Sequence, residues 1–173
     1  MARKKEAALE ERERYVQDLF RRVAPKYDFL NRLLSFRRDV AGRRFTARKA
    51  GLEPGGSVLD VATGTGDLAF YLAEVVGSTG RVVGLDFTEE MLVRARAKAD
   101  KLGLADVCRF VQGNALELPF EDAQFDAATI AFGLRNVVDR ERCLLEMRRV
   151  VKPGGRVLVL EFSQPVWPVF RQV

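Results

Sequence analysis

A chain of 173 residues, 47% hydrophobic and 31% charged, has the size and balance of one globular domain with a buried core. It contains no histidine, which excludes histidine acid–base catalysis, Ser-His triads and most zinc sites, so no metal centre is expected. The formal charge of +5 is uneven: residues 1–50 hold 15 Lys/Arg against 7 Asp/Glu, and the remaining residues hold 14 against 17.

The basic N-terminal third fits a solvated helix face, an anionic membrane surface or a nucleic acid, and charge alone does not separate these. No apolar run reaches the roughly 20 residues that span a bilayer. The start, MARKKEAALEERERY, lacks the apolar stretch of a secretory signal. Cys108 and Cys143 have no metal-type spacing and read as reduced core thiols, which places the chain in the cytoplasm.

In chain order, Tyr15, Val16, Leu19, Phe20 and Val23 fall at helical spacing, and Pro25 ends that helix. Tyr27, Leu30, Leu33 and Leu34 predict a second short helix, and a third covers about 39–50, stopped by Gly51 and the Glu53-Pro54-Gly55-Gly56 turn. Strand–helix alternation follows. Strands are predicted at Val58–Val61, Arg81–Leu85, Val107–Val111, Phe125–Ala131 and Arg156–Glu161. Helices are predicted at Asp67–Val76 and about Glu89–Leu102, the latter capped by Thr88, and from Asp139 as cap to about Val150. Lys152-Pro153-Gly154-Gly155 reads as a turn before the last strand. The expected architecture is α/β: a helical segment over 1–50, then a doubly wound, Rossmann-like parallel sheet over 51–173 with right-handed crossovers.

The first strand runs into Asp60-Val61-Ala62-Thr63-Gly64-Thr65-Gly66-Asp67, and Ala69 completes a G-x-G-x-x-A pattern. Gly64 and Gly66 let the backbone turn tightly and approach a ligand, with Thr63 and Thr65 between and beside them. By itself this loop is a weak signal, shared with dinucleotide sites and with plain turns. Asp86 ends the second strand 20 residues after Gly66, where a carboxylate accepts from both ribose hydroxyls. Phe87 follows it. Asn114 and Ala115 follow the third strand, where an adenine ring would lie. Ala131 ends the fourth strand and leads into Phe132-Gly133-Leu134-Arg135-Asn136. These strand ends should converge on one crevice. Asp60 tilts the choice of cofactor towards S-adenosylmethionine, which presents an ammonium and a sulfonium; a dinucleotide oxidoreductase has no particular need of an acid there.

The runs VLDVATGTGD (58–67), GNALELPF (113–120), TIAFGLRNV (129–137) and RVVKPGGRVLVLEFSQP (149–165) resemble the menaquinone/ubiquinone biosynthesis C-methyltransferases, as does the Tyr27-Asp28-Phe29-Leu30-Asn31 opening. The resemblance covers about Val16 to Pro165. It implies a class I S-adenosylmethionine-dependent methyltransferase acting on a ring carbon of a prenylated quinol, demethylmenaquinol to menaquinol first among such reactions. It implies cofactor contacts at Thr65, Asp86, Asn114 and Ala115, four positions also reached from the loop and strand ends. Arg135 and Asn136 are the expected catalytic pair: Arg135 stabilises a phenolate or holds a water that takes its proton, and Asn136 orients the ring. Tyr27 and Asn31 are assigned to a lid over the cofactor.

Two departures stand out. The family's G-x-H-R-x-W stretch is replaced by Arg37-Arg38-Asp39-Val40-Ala41-Gly42-Arg43, and family chains run several dozen residues further. The resemblance therefore implies missing C-terminal strands and an uncovered sheet edge, hence an expected homodimer. A prenylated substrate implies transient contact with the inner face of the membrane through the basic N-terminal segment. Three other readings compete. A nucleic-acid methyltransferase is disfavoured by the absence of an N/D-P-P-Y/F run, so no nucleic acid partner is expected. An O- or N-methyltransferase of another small molecule is opposed only by the family-specific runs. A truncated fragment that binds cofactor without turnover is the third.

Overall fold

A computed structural model describes residues 38–162, together with Leu19 and Arg22, which are helical. The expected helices before Arg38, and with them Tyr27 and Asn31, lie outside the described residues. The elements in order are α1 (Arg38–Lys49), β1 (Ser57–Val61), α2 (Asp67–Val76), β2 (Arg81–Asp86), α3 (Glu89–Leu102), β3 (Cys108–Gln112), β4 (Phe125–Ala131), a 3-10 turn (Leu134–Asn136), α4 (Arg140–Val150) and β5 (Val151–Leu160).

The five strands form one parallel sheet in the order β3-β2-β1-β4-β5. β1 and β4 lie side by side in the middle of the order, with Asp60 opposite Thr129. The chain thus winds outward from β1 in one direction and, after β3, returns to wind outward in the other. The parting between β1 and β4 is the topological switch point, where this architecture opens a crevice at the carboxyl ends of the strands.

Both faces of the sheet are covered, so the strands are almost continuously apolar. Alternate residues serve different layers. Val58, Val82, Cys108 and Ala127 pack under α1, α2 and α3 against Ala47, Leu72, Val76, Leu92 and Ala95. Leu59, Val83, Ala128 and Ile130 pack on the opposite face against Cys143, Met147 and Val150 of α4, with Leu118. By this alternation Asp60 and Thr129, both buried, belong to the face that α1 and α2 cover. α2 carries apolar residues almost all round (DLAFYLAEVV) because it is wedged between the sheet and α1.

Two local expectations are corrected. Thr88 does occupy the first position before α3, but its side chain makes no cap bond; its hydroxyl serves the Asp86 carboxylate instead. And β5 begins at Val151, not Arg156. Phe125 pairs with Val151 and Ala127 pairs next with Arg156, so the Lys152-Pro153-Gly154-Gly155 stretch is absorbed as an irregularity within the strand. The turn residues are real, but the ladder resumes on the same neighbour after them. Asp139 caps α4 as expected, its carboxylate accepting from the Arg142 N–H at 2.9 Å.

Candidate functional site

The end of β1 is organised by a buried carboxylate. Asp60 accepts hydrogen bonds from the hydroxyls of Thr63, 2.6 Å away on the following loop, and Thr129, 2.8 Å away on β4. Burial pushes its pKa up to about 6, against the pull of those two hydroxyls and of the nearby Arg43 charge and with a small further push from Asp86. Ionised Asp60 therefore costs the fold stability, and this cost is present above pH 6 and disappears as the pH falls through 6 towards the unfolded value of 3.8. A group held this way is poised for a cationic partner.

The loop that follows turns sharply. Ala62 and Phe132, at the ends of β1 and β4, both adopt left-handed backbone at φ 52° and 57°, uncommon for residues with a side chain. The two strand ends approach so closely at this place that a Cβ on Gly133 would lie 2.6 Å from the Ala62 Cβ. Gly64 donates its N–H to Asp86 Oδ2 at 2.8 Å, and Thr88 donates its N–H to Asp86 Oδ1 at 2.9 Å. Burial raises the Asp86 pKa while these donors lower it. Lys98 of α3 reaches across to Asp67 and to the Thr65 hydroxyl, pinning the start of α2.

These strand ends line an open crevice, the position and apolar character expected of a small-molecule site in this architecture. Its wall includes Gly64, Asp86, Phe87, Asn114, Ala115, Ala131 and Asn136 of the expected site, together with Ala62, Met91, Leu116, Phe132 and Val137. The added residues are mostly apolar, and their crevice-facing role had no signature in the sequence beyond nearness to strand ends. Asn114 is engaged in two ways. Its Oδ1 accepts the Leu116 N–H at 2.9 Å in a tight local turn, and the residue also forms crevice wall. The amide NH2 and the second lone pair of Oδ1 are left to bond a purine.

A smaller cleft adjoins the crevice and shares Ala62 and Ala131 with it. Asp60, Thr63, Thr65 and Asp67 line it, and so does Arg43 of α1, a residue that sequence reasoning passed over as one more charge on a basic helix. Gly66 lines neither space. It lies beneath them, where an added Cβ would meet Phe70 at 2.9 Å and Phe110 at 3.1 Å. Arg135 also stands off both walls: it is half exposed, pairs with Glu161 at 2.9 Å and donates its backbone N–H to the same carboxylate. Its neighbour Asn136 is on the crevice wall.

The arrangement fits S-adenosylmethionine. Apolar walls beside Asn114 suit adenine, the Asp86 carboxylate suits ribose hydroxyls, and Asp60 in the adjoining cleft suits an ammonium. Covalent catalysis by the thiols has no support: Cys108 and Cys143 are buried, and burial pushes both up to about 11. Among the described residues no cluster of three or more Cys, Asp or Glu could hold a metal ion.

Comparison with known proteins agrees with this geometry. The model of the ubiE/COQ5 methyltransferase family matches residues 8–173. A demethylmenaquinone methyltransferase of Bacillus cereus is 50% identical over 161 residues, 93% of this chain and 68% of that protein. Among solved structures, a SAM-dependent methyltransferase from Aquifex aeolicus superposes with a TM-score of 0.66 at 29% identity, over 73% of this chain and 66% of that one. The chain thus spans about two thirds of each of these relatives. The [4+2]-cyclase SpnF superposes with a TM-score of 0.63 at 29% identity, over 74% of this chain and 50% of its own. A fold shared with a cyclase does not fix the reaction, which must be argued from the site.

The packing beneath the loop gives a direct test. Gly66 has φ 84°, and Gly103, also left-handed at φ 68° and ψ 29°, has nothing within 4 Å of an added Cβ. Gly103→Ala should cost about 1 kcal/mol, the left-handed penalty alone. Gly66→Ala adds the collision with Phe70 and Phe110 and should cost about 3 kcal/mol, read from chemical denaturation midpoints of the two variants.

Proposed function

The chain belongs to the ubiE/COQ5 methyltransferase family, and from that premise we propose that it transfers a methyl group from S-adenosylmethionine to a ring carbon of a prenylated quinol, demethylmenaquinol being the substrate. The observation that carries this reading is the meeting of Gly64, Asp86 and Asn114 at one switch-point crevice, with Asp60 in the cleft that adjoins it, in a chain half identical to a protein named for that reaction.

Each part of the site has a task. Asp86 accepts from the ribose hydroxyls while its own carboxylate is held by the Gly64 and Thr88 N–H groups. Asn114, with the backbone of Ala115, frames the adenine, and Phe87 borders it. Asp60, with Thr63 and Thr65 in the same cleft, meets the amino-acid end. Bound S-adenosylmethionine supplies an electrophilic methyl carbon on a sulfonium. The acceptor carbon needs more help, since an aromatic C–H is a poor nucleophile and free phenols ionise only near pH 10. Positive charge or donors at the neighbouring oxygen shift that ionisation. Asn136 orients the ring from the crevice wall. Arg135 is assigned to the phenolate, and it exchanges Glu161 for substrate to reach it. Tyr27 and Asn31 are assigned to a lid closing over the cofactor.

The substrate's tail and the sheet edge extend this reading. The basic segment over residues 1–50 suits an anionic lipid surface, where a prenyl tail resides. Among the described residues no helix is long and apolar enough to cross a membrane, so the contact proposed is peripheral, at the cytoplasmic face. The outer edge of β5, with Val157 and Val159 partly exposed, suits pairing between two copies of the chain. Sedimentation with anionic vesicles at low salt and size-exclusion chromatography at high concentration test these. Failure to sediment counts against the first, and a strict monomer against the second.

Two measurements test the site. Arg135→Ala should lower turnover about 100-fold or more while leaving the cofactor Kd within about threefold; equal losses in both would remove Arg135 from the chemistry. Asp60 must be ionised to meet an ammonium. With a free-state pKa of about 6, protonation below that value competes with binding, so the cofactor Kd should weaken about tenfold between pH 7.5 and pH 5. Asp60→Asn should bind more weakly and lose this pH dependence. A wild-type Kd flat across that range would rule out contact between Asp60 and the ammonium.

A further inference from the structure

We infer that Arg43 of α1 is the anchor for the carboxylate of the cofactor's amino-acid end, so that the small cleft beside the crevice recognises a zwitterion with a cation on one side and an anion on the other; this rests on the S-adenosylmethionine reading above.

The argument starts from burial. Arg43 is 6% exposed and Asp39, one helical turn before it, is 2% exposed. A buried guanidinium requires compensation, and the Asp39 carboxylate bonds one of its terminal nitrogens, Nη1. A guanidinium carries five N–H donors in a planar fork, and one carboxylate oxygen on Nη1 does not exhaust them. The plane of the group is steadied by the Phe132 ring, whose centroid lies 5.1 Å from the guanidinium carbon. Phe132 is itself crevice wall. Arg43 is therefore fixed in position before any ligand arrives.

Location supplies the second half. Arg43 lines the cleft that also contains Asp60, Thr63, Thr65 and Asp67, and the cleft joins the crevice through Ala62 and Ala131. A ligand whose nucleoside fills the crevice has to pass its remaining chain by those two alanines. Among the described residues, Lys98 near the cleft is bound to Asp67 and Thr65, whereas Arg43 is itself cleft wall. Its planar fork, with donors beyond the one that Asp39 takes, matches a carboxylate with two parallel bonds. Asp60, on the sheet face that α1 covers, takes the ammonium of the same ligand.

The test compares ligands that differ only at that end. Calorimetric titration of the full chain uses S-adenosylmethionine, its decarboxylated form and 5′-methylthioadenosine. The wild type should bind S-adenosylmethionine at least tenfold more tightly than the decarboxylated form, the range expected when a charged hydrogen-bonding partner is removed. Arg43→Met should lose that preference, weakening S-adenosylmethionine at least tenfold while leaving the decarboxylated ligand within twofold. Arg43→Lys keeps the charge without the fork and should fall between them. Equal weakening of both ligands by Arg43→Met would assign Arg43 to holding α1 in place and overturn the inference. Should that variant fail to fold, equal wild-type affinity for the two ligands overturns it equally well. Binding of 5′-methylthioadenosine with no gain from the amino-acid end sinks the carboxylate anchor alone. Failure of all three ligands to bind sinks the S-adenosylmethionine reading on which it stands.

Discussion

A carboxylate enclosed between two parallel strands has to find donors, and Asp60 finds them in places that organise everything around it. One hydroxyl comes from Thr129, its register partner on β4, and the other from Thr63, in the turn that β1 feeds. The two strands that part at the switch point are thereby tied at the level where they part. The loop carrying Gly64 is tied to the same group. The cost of keeping this charge away from water is a pKa shift from 3.8 to about 6, equivalent to about 3 kcal/mol when the group is ionised. A fold built only for stability would place a valine there. Under the proposed function, a cation entering the cleft recovers that cost as affinity.

The sheet and its helices were legible in the sequence because each strand is short, apolar and bounded by glycine or a charged turn, and each crossover helix has its own start. Asp139 before α4 and the Gly64–Gly66 loop before α2 act at a distance of a few residues, which a reading along the chain can see. The failures are non-local. Thr88 sits where a cap belongs, yet Asp86, two residues earlier, competes for its hydroxyl. Lys152-Pro153-Gly154-Gly155 has every mark of a turn, and whether the chain leaves the sheet there depends on whether β4 accepts it back at Arg156. Only the partner strand decides that.

The site divides along the same line. Asp86, Asn114 and Ala131 follow from topology, since strand ends at a switch point must converge. Arg43 does not. Its helix reads as a string of basic residues, and only tertiary packing separates the one arginine that α1 turns inward from neighbours left in solvent. Arg135 shows the opposite case: a sequence run marks it strongly, while its side chain rests on Glu161 outside the crevice. A motif identifies which residue to watch without fixing the state in which it waits.

Cys108 packs in the layer beneath α1, α2 and α3, and Cys143 in the layer beneath α4. Each is at most 5% exposed, and each is held as the unreactive thiol. The chain therefore carries a built-in pair of chemical clocks. Alkylation of either sulfur in native buffer has to wait for its own layer to open, and the ratio of the two labelling rates would report whether the halves of the sandwich come apart together or one before the other.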